Sequence, residues 1–163
     1  MKTKSASVST PVTELEYNPT GLSDGMHGEL YAAPAYGDLS QGPHGTFIRM
    51  PAGYESPTHT HTDDYWAVVV SGVMVNRKPD GTDVPLPAGS YYFQKGGERH
   101  VTKCISPNEC VFFVSQDGKS TLISDVEVDV IAKGDHTSSL PCVCSTSERT
   151  GHGSRTVRCN CGT

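Results

Sequence analysis

Gly53-Tyr54-Glu55-Ser56-Pro57-Thr58-His59-Thr60-His61-Thr62-Asp63-Asp64-Tyr65-Trp66-Ala67-Val68-Val69-Val70-Ser71-Gly72 is the stretch on which the reading of this chain turns. Two histidines at i and i+2 project to one face of a β-strand, so His59 and His61 can present both imidazoles to one metal ion. The apolar run from Tyr65 to Ser71 reads as a second strand. Alternation puts Tyr65, Ala67 and Val69 on one face and Trp66, Val68 and Val70 on the other. With Tyr65 facing inward, Ala67 and Val69 would floor a small apolar cavity, which suits a small organic substrate. A third histidine, His100, follows Gly89 and the aromatic run Tyr91-Tyr92-Phe93-Gln94. Imidazole suits zinc, iron, copper and nickel, so the type of site is clearer than the identity of the ion.

These residues resemble the two motifs of the cupin superfamily. The first motif reads Gly, five residues, His-x-His, three or four residues, Glu, six residues, Gly. Gly53, His59, His61 and Gly72 fit it, and Tyr65 occupies the glutamate slot. The second reads Gly, five residues, Pro-x-Gly, two residues, His, three residues, Asn. Gly89, Gly97 and His100 fit, Lys95 replaces the proline and Cys104 replaces the asparagine. The match spans about residues 44 to 116. With the lead-in Tyr36-Gly37-Asp38 and Gly42-Pro43-His44-Gly45, it is similar to a group of small bacterial cupins.

The resemblance implies an all-β fold, the cupin double-stranded β-helix or jelly-roll barrel. It implies that His59, His61 and His100 are ligands of a divalent metal. Three-histidine cupins include iron(II) dioxygenases, so Fe(II) is the favoured ion, with Zn, Mn, Ni or Cu as alternatives. Where the family usually places a carboxylate ligand, this chain has Tyr65. Three neutral ligands leave the ion its full charge and at least one open position for water, dioxygen or a chelating substrate.

Tyr65 is the candidate catalytic residue: it could ligate as phenolate, act as a general base or donate a hydrogen bond to substrate. A core aromatic packed on the strand is the plainer alternative. Tyr92 could line the pocket, and Gln94, which shares its strand parity, could line the cavity as a ligand or support one from behind. Glu98 could orient an imidazole or a substrate proton, and Asp63 or Asp64 could approach the metal if the turn after His61 bulges. Exposed turn residues are the plainer reading of all three acids. His27, His44, His136 and His152 have no comparable frame and read as structural or exposed histidines.

The chain has 163 residues and a net charge of −5, which leaves no basic footprint for nucleic acid or an anionic membrane. No apolar run approaches the ~18 residues of a membrane helix. The N-terminus has basic residues but no apolar signal core, so a cytoplasmic location is expected, although a mature periplasmic form would look the same. Residues 1–24 are rich in Ser, Thr and Pro and read as an N-terminal arm. Residues 25–132 form the cupin domain, and 133–163 a flexible cysteine-containing tail with too few apolar residues to offset its ordering entropy.

Strands are expected at Met26 to Ala32, Thr46 to Met50, Thr58 to Thr62, Tyr65 to Ser71, Val73 to Asn76, Ser90 to Gln94, His100 to Cys104, Val111 to Gln116 and Ser120 to Ser124, separated by turn signals such as Pro79-Asp80-Gly81. Cys104 and Cys110 bracket a turn and could bridge, although a reducing cytoplasm argues against it. Cys142-Val143-Cys144 and Cys159-Asn160-Cys161 could hold zinc, but Cys-x-Cys is a weaker sign than Cys-x-x-Cys.

Three functions are consistent with these residues. The first is a three-histidine Fe(II) dioxygenase acting on a small molecule. The second is a non-oxidative metal-dependent lyase or isomerase with Tyr65 as base. The third is a non-catalytic cupin that senses a metal or ligand. A homodimer is expected, because small cupins pair through sheet edges and the arm is long enough to reach a neighbour.

Overall fold

The computed structural model describes residues 6–124 and the backbone of residues 143–147 and 156–160. After a single 3-10 turn at Val12–Glu14, every described element is a strand. They are β1 (Asn18–Ser23), β2 (Glu29–Gly37), β3 (His44–Met50), β4 (His59–Thr60), β5 (Tyr65–Ser71), β6 (Val73–Arg77), β7 (Pro85–Pro87), β8 (Tyr91–Gln94), β9 (Val101–Cys104), β10 (Cys110–Gln116), β11 (Ile123–Ser124), β12 (Val143–Ser147) and β13 (Thr156–Asn160). The chain divides into two units, Met1–Glu127 and Val128–Thr163.

In the first unit β1-β2-β3-β10-β5-β8 form one antiparallel sheet and β7-β6-β9 another, with β11-β4 as a short pair. This is the expected all-β cupin barrel. Strand β5 shows why it closes on itself: Tyr65, Ala67 and Val69 are buried while Trp66, Val68 and Val70 are exposed, as a half-buried strand requires. Strand β10 repeats the pattern with Cys110, Phe112, Val114 and Gln116 buried. These inward residues join Met50 and Tyr54, and Met74 and Cys104 from the smaller sheet, in one core.

The departures from expectation have local causes. Strand β2 begins at Glu29 rather than Met26 because Asp24 Oδ1 accepts the backbone N–H groups of Met26 and His27, which holds residues 24–27 in a turn. It then runs on through Pro34, with a register shift between Pro34 and Tyr36 that accommodates the missing N–H. Strand β7 carries Pro85 and Pro87 and was not expected; it sits at a sheet edge, where proline is tolerated. The last expected strand shortens to Ile123–Ser124. The segment expected as an arm does not stay free throughout: residues Asn18–Ser23 pair with β2 of the same chain.

Cys104 and Cys110 form a disulfide with a Cα separation of 5.8 Å, within the bridging range. That settles the geometry left open by the sequence, against the expectation from a reducing compartment. In the second unit β12 pairs with β13 so that Cys144 lies opposite Cys159. The rest of the expected tail, Cys142, Cys161, His136 and His152 included, lies outside the described residues. Among the described residues no helix is long and apolar enough to cross a membrane.

Gly72 links β5 to β6 with φ of +79°, and a Cβ there would stand 2.8 Å from Cys110 Sγ and 3.0 Å from Cys110 Cα. Gly81 has a similar φ of +83° but nothing within 4 Å of its Cβ position. Gly81→Ala should therefore cost only the left-handed penalty of about 1–2 kcal/mol. Gly72→Ala adds a steric clash and should cost clearly more in chemical denaturation. Equal losses would contradict this packing.

Candidate metal centre

His59 sits on β4, His61 just after it, and His100 just before β9. Reciprocal backbone hydrogen bonds clamp the first and last together: His59 N–H donates to His100 O at 3.1 Å and His100 N–H donates to His59 O at 3.0 Å. Strand β11 pairs with β4 on its other side, with Ser124 opposite His59. Three stretches distant in sequence are thus fixed at one point. The ring centroids lie 4.9 Å apart for His59 and His61, 4.2 Å for His59 and His100, and 5.1 Å for His61 and His100. One ring nitrogen from each lies within 4.8 Å of those of the other two.

Each ring's Nδ1 is held by a backbone carbonyl. His59 Nδ1–H donates to Pro57 O at 2.9 Å, His100 Nδ1–H to Glu98 O at 3.2 Å, and His61 Nδ1–H to Thr121 O. A carbonyl can only accept, so each Nδ1 carries the proton and each neutral ring keeps its lone pair on Nε2, which at His100 faces the Tyr65 hydroxyl. This is the tautomer that metal ligation requires, with the outer hydrogen bond already made. Burial disfavours the imidazolium at all three. It lowers the His59 pKa, takes His61 down to about 4 with help from the His59 charge, and takes His100 down to about 3 with the same help. Three neutral imidazoles, each with a ring nitrogen within 4.8 Å of those of the other two, are a donor set that fits a divalent ion such as iron or zinc.

Tyr65 faces inward as expected. Its hydroxyl lies 3.4 Å from His100 Nε2 and its ring meets the edge of His61 at 5.1 Å. Burial pushes its phenol well above the usual range, so the group is a neutral donor. Tyr92 is buried behind it, with the two rings edge-on at 5.9 Å.

The three polar candidates play other parts than ligation. Gln94 is buried, but its side chain is fully engaged: Oε1 accepts from Asn76 at 2.8 Å and Nε2 donates to Lys95 O and Glu98 O. It therefore supports the carbonyl that orients His100. Glu98 serves through that carbonyl, and its side chain is exposed. Asp64 is exposed and accepts the Gly96 N–H at 2.7 Å, which pins the turn leading to His100. No bulge turns Asp64 toward the histidines.

Beside the imidazoles lies a cavity of about 340 Å³, lined by residues of β1, β2, β3 and β10 as well as His59, His61 and Tyr65. His44 also lines it, buried on β3. Its Nδ1 pairs with Thr46 Oγ1 at 2.9 Å and its Nε2 with Gln116 Oε1 at 3.3 Å. The expectation of a satisfied histidine holds, but its place in the cavity wall was missed. The signal available was strand parity with Thr46 and Met50.

The profile of a family described as "Domain of unknown function (DUF4437)" matches residues 23–122. No curated protein matches the chain. Among solved structures, the polyketide cyclase RemF from Streptomyces resistomycificus aligns with a TM-score of 0.63 at 16% identity, covering 76% of this chain and 89% of its own. An acetylacetone dioxygenase from Acinetobacter johnsonii aligns with a TM-score of 0.57 at 21% identity, covering 77% of this chain and 82% of its own. An RmlC-like cupin from Shewanella frigidimarina NCIMB 400 aligns with a TM-score of 0.53 at 18% identity, covering 69% of this chain and 91% of its own. At these identities the likeness is one of fold, and that fold is the cupin barrel.

The lowered histidine pKa values have a consequence for stability. The unfolded chain takes up protons near pH 6.5, whereas the folded rings resist protonation down to about 4 at His61 and about 3 at His100. Stability is therefore full above pH 6.5 and falls as the pH drops through this window. The lowered carboxylates Asp24, Asp38, Asp80 and Asp83 act only below their ordinary value of 3.8. Melting in the presence of a chelator should show the midpoint falling steadily from pH 6.5 to 4.5. A flat profile would contradict neutral buried imidazoles.

Proposed function

The chain belongs to the DUF4437 family and has the cupin fold, and from that premise we propose that it is a metal-dependent enzyme acting on a small organic molecule, with His59, His61 and His100 holding one divalent ion. The observation that carries this reading is the convergence of the three buried imidazoles, each with Nδ1 hydrogen-bonded to a backbone carbonyl so that Nε2 is the nitrogen left for an ion. We take the ion to be Fe(II) and the activity to be that of a three-histidine dioxygenase. The likeness to an acetylacetone dioxygenase supports this. When bound, such an ion supplies open positions at which an oxygen-bearing substrate and dioxygen can meet.

The remaining work falls to the chain's own side chains. The three imidazoles bind and, being neutral, leave the ion's charge for substrate. The buried setting of His59, His100 and Tyr65 excludes bulk water. Tyr65 keeps its proton and offers it from a hydroxyl beside the ligand nitrogens, so it acts as hydrogen-bond donor or general acid to a molecule bound there. A non-oxidative lyase or isomerase is the second reading. The likeness to a polyketide cyclase favours it, and Tyr65 would then move a proton on substrate carbon or oxygen.

We also propose a homodimer. The outer face of β5 and β8 exposes Trp66 (57%), Tyr91 (71%) and Phe93 (44%) with Val68 and Val70, and the Trp66 and Phe93 rings lie 4.6 Å apart. An apolar face of this kind is a docking surface by default. Sedimentation at micromolar concentration should give twice the chain mass, and Trp66→Arg should reduce it to the monomer. A monomeric mass for the wild type would contradict the assembly.

The chemistry is tested with iron(II)-loaded protein and candidate substrates. Dioxygen uptake should match substrate loss. His61→Ala should abolish stoichiometric metal. Tyr65→Phe should leave metal content intact and lower turnover by about 10²–10⁴, the range for a positioned acid–base group. Undiminished turnover under argon would move the assignment to the non-oxidative reading. Binding without turnover under either gas would point to a sensing cupin. Unaltered turnover in Tyr65→Phe would remove Tyr65 from the mechanism.

A further inference from the structure

We infer that the cavity lined by His59, His61 and Tyr65 takes a molecule with an uncharged hydrocarbon body and a single oxygen head group directed at those histidines. The apolar wall is continuous: Leu22 from β1, Leu30 from β2, Ile48 and Met50 from β3, and Phe112 and Val114 from β10. No Lys, Arg, Asp or Glu is among the described residues that line it.

Most of the polar side chains on the strands of the wall are engaged with the protein; Tyr54, Thr102, Ser120 and Thr121 also line it. Thr20 Oγ1 donates to Leu30 O at 2.9 Å. Thr46 Oγ1 is paired with His44 Nδ1, and His44 Nε2 with Gln116 Oε1. Gln116 Nε2 donates to Asp63 O at 3.1 Å. Ser56 Oγ accepts the Thr102 N–H at 2.9 Å. A charged group carried into this wall would lose its water and find no counter-ion, whereas a hydrocarbon chain gains by leaving water. The strongest polar recognition available is at the end lined by His59, His61 and Tyr65, beside His100. A carbonyl, enol or hydroxyl oxygen belongs there.

The orientation of the head group rests on the metal reading above; the preference for an uncharged body does not. Two matched pairs of probes keep them separate. In chelator-treated protein, calorimetry compares butyl methyl ketone with hexanoate. In cobalt(II)-loaded protein, it compares hexanohydroxamate with the monohydroxamate of adipic acid, which differs by a carboxylate at the far end.

The ketone and the hexanohydroxamate, which lack the carboxylate of their partners, should each bind at least about tenfold more tightly. Ile48→Phe, which fills the cavity, should weaken ketone binding while the protein keeps its wild-type circular dichroism. Equal or tighter binding of hexanoate and of the adipic monohydroxamate would overturn the inference. So would absence of binding by the ketone, or ketone binding unaffected in Ile48→Phe. If cobalt does not bind but the ketone preference holds, the metal reading fails and the substrate class stands.

Discussion

Everything at the candidate site depends on three hydrogen bonds from imidazole Nδ1 to backbone carbonyls, at Pro57, Glu98 and Thr121. Each removes two freedoms from a histidine: which nitrogen holds the proton, and which way the ring points. The carbonyls come from three separate loops, so the arrangement exists only when the barrel is closed. The reciprocal backbone pair between His59 and His100 ties the two motifs together at the same point. Neutral rings, buried and paired on one side, are poised for an ion on the other. Binding free energy for such an ion would be folding free energy for the loops that carry the acceptors.

The supporting structure is arranged around that demand. Strand β5 brings Tyr65 inward, where a carboxylate stands in the related motif, and replaces a charge with a neutral donor. Gln94 and Asp64 act at one remove: the first bonds the Glu98 carbonyl that holds His100, the second holds the Gly96 turn. Neither approaches as a ligand. Strand β1 contributes Thr20 and Leu22 to the cavity wall, so the end of the N-terminal segment helps enclose the site. The outcome is a group of imidazoles beside a largely apolar cavity, which is the usual design of small-molecule sites.

Much of this was legible because it follows from periodicity. The alternation Tyr65-Trp66-Ala67-Val68-Val69 and the run Cys110 to Gln116 announce half-buried strands, and His-x-His on a strand places both rings on one face. What escaped the sequence is what periodicity does not encode. Asp24 captures two backbone N–H groups and displaces the start of β2 by three residues. Pro34, Pro85 and Pro87 hide strand, because proline is admitted only at edges and bulges. The acceptors for the imidazoles are main-chain oxygens, which have no residue signature. His44 looked structural and is, yet the curvature of β3 and β10 makes it part of the cavity wall as well. In the sequence Glu98 offers a carboxylate, but its backbone carbonyl is the part that acts on His100.

The most direct test of the central claim is X-ray absorption fine structure at the edge of whatever metal the purified protein carries. Three imidazole ligands with Nε2 bound predict nitrogen or oxygen scatterers at about 2.0–2.2 Å, with the outer-shell pattern of about three imidazole rings. The same spectrum should lose that outer-shell pattern in the His61→Ala protein. A first shell of sulfur at about 2.3 Å would place the metal on cysteines instead, and would contradict the account.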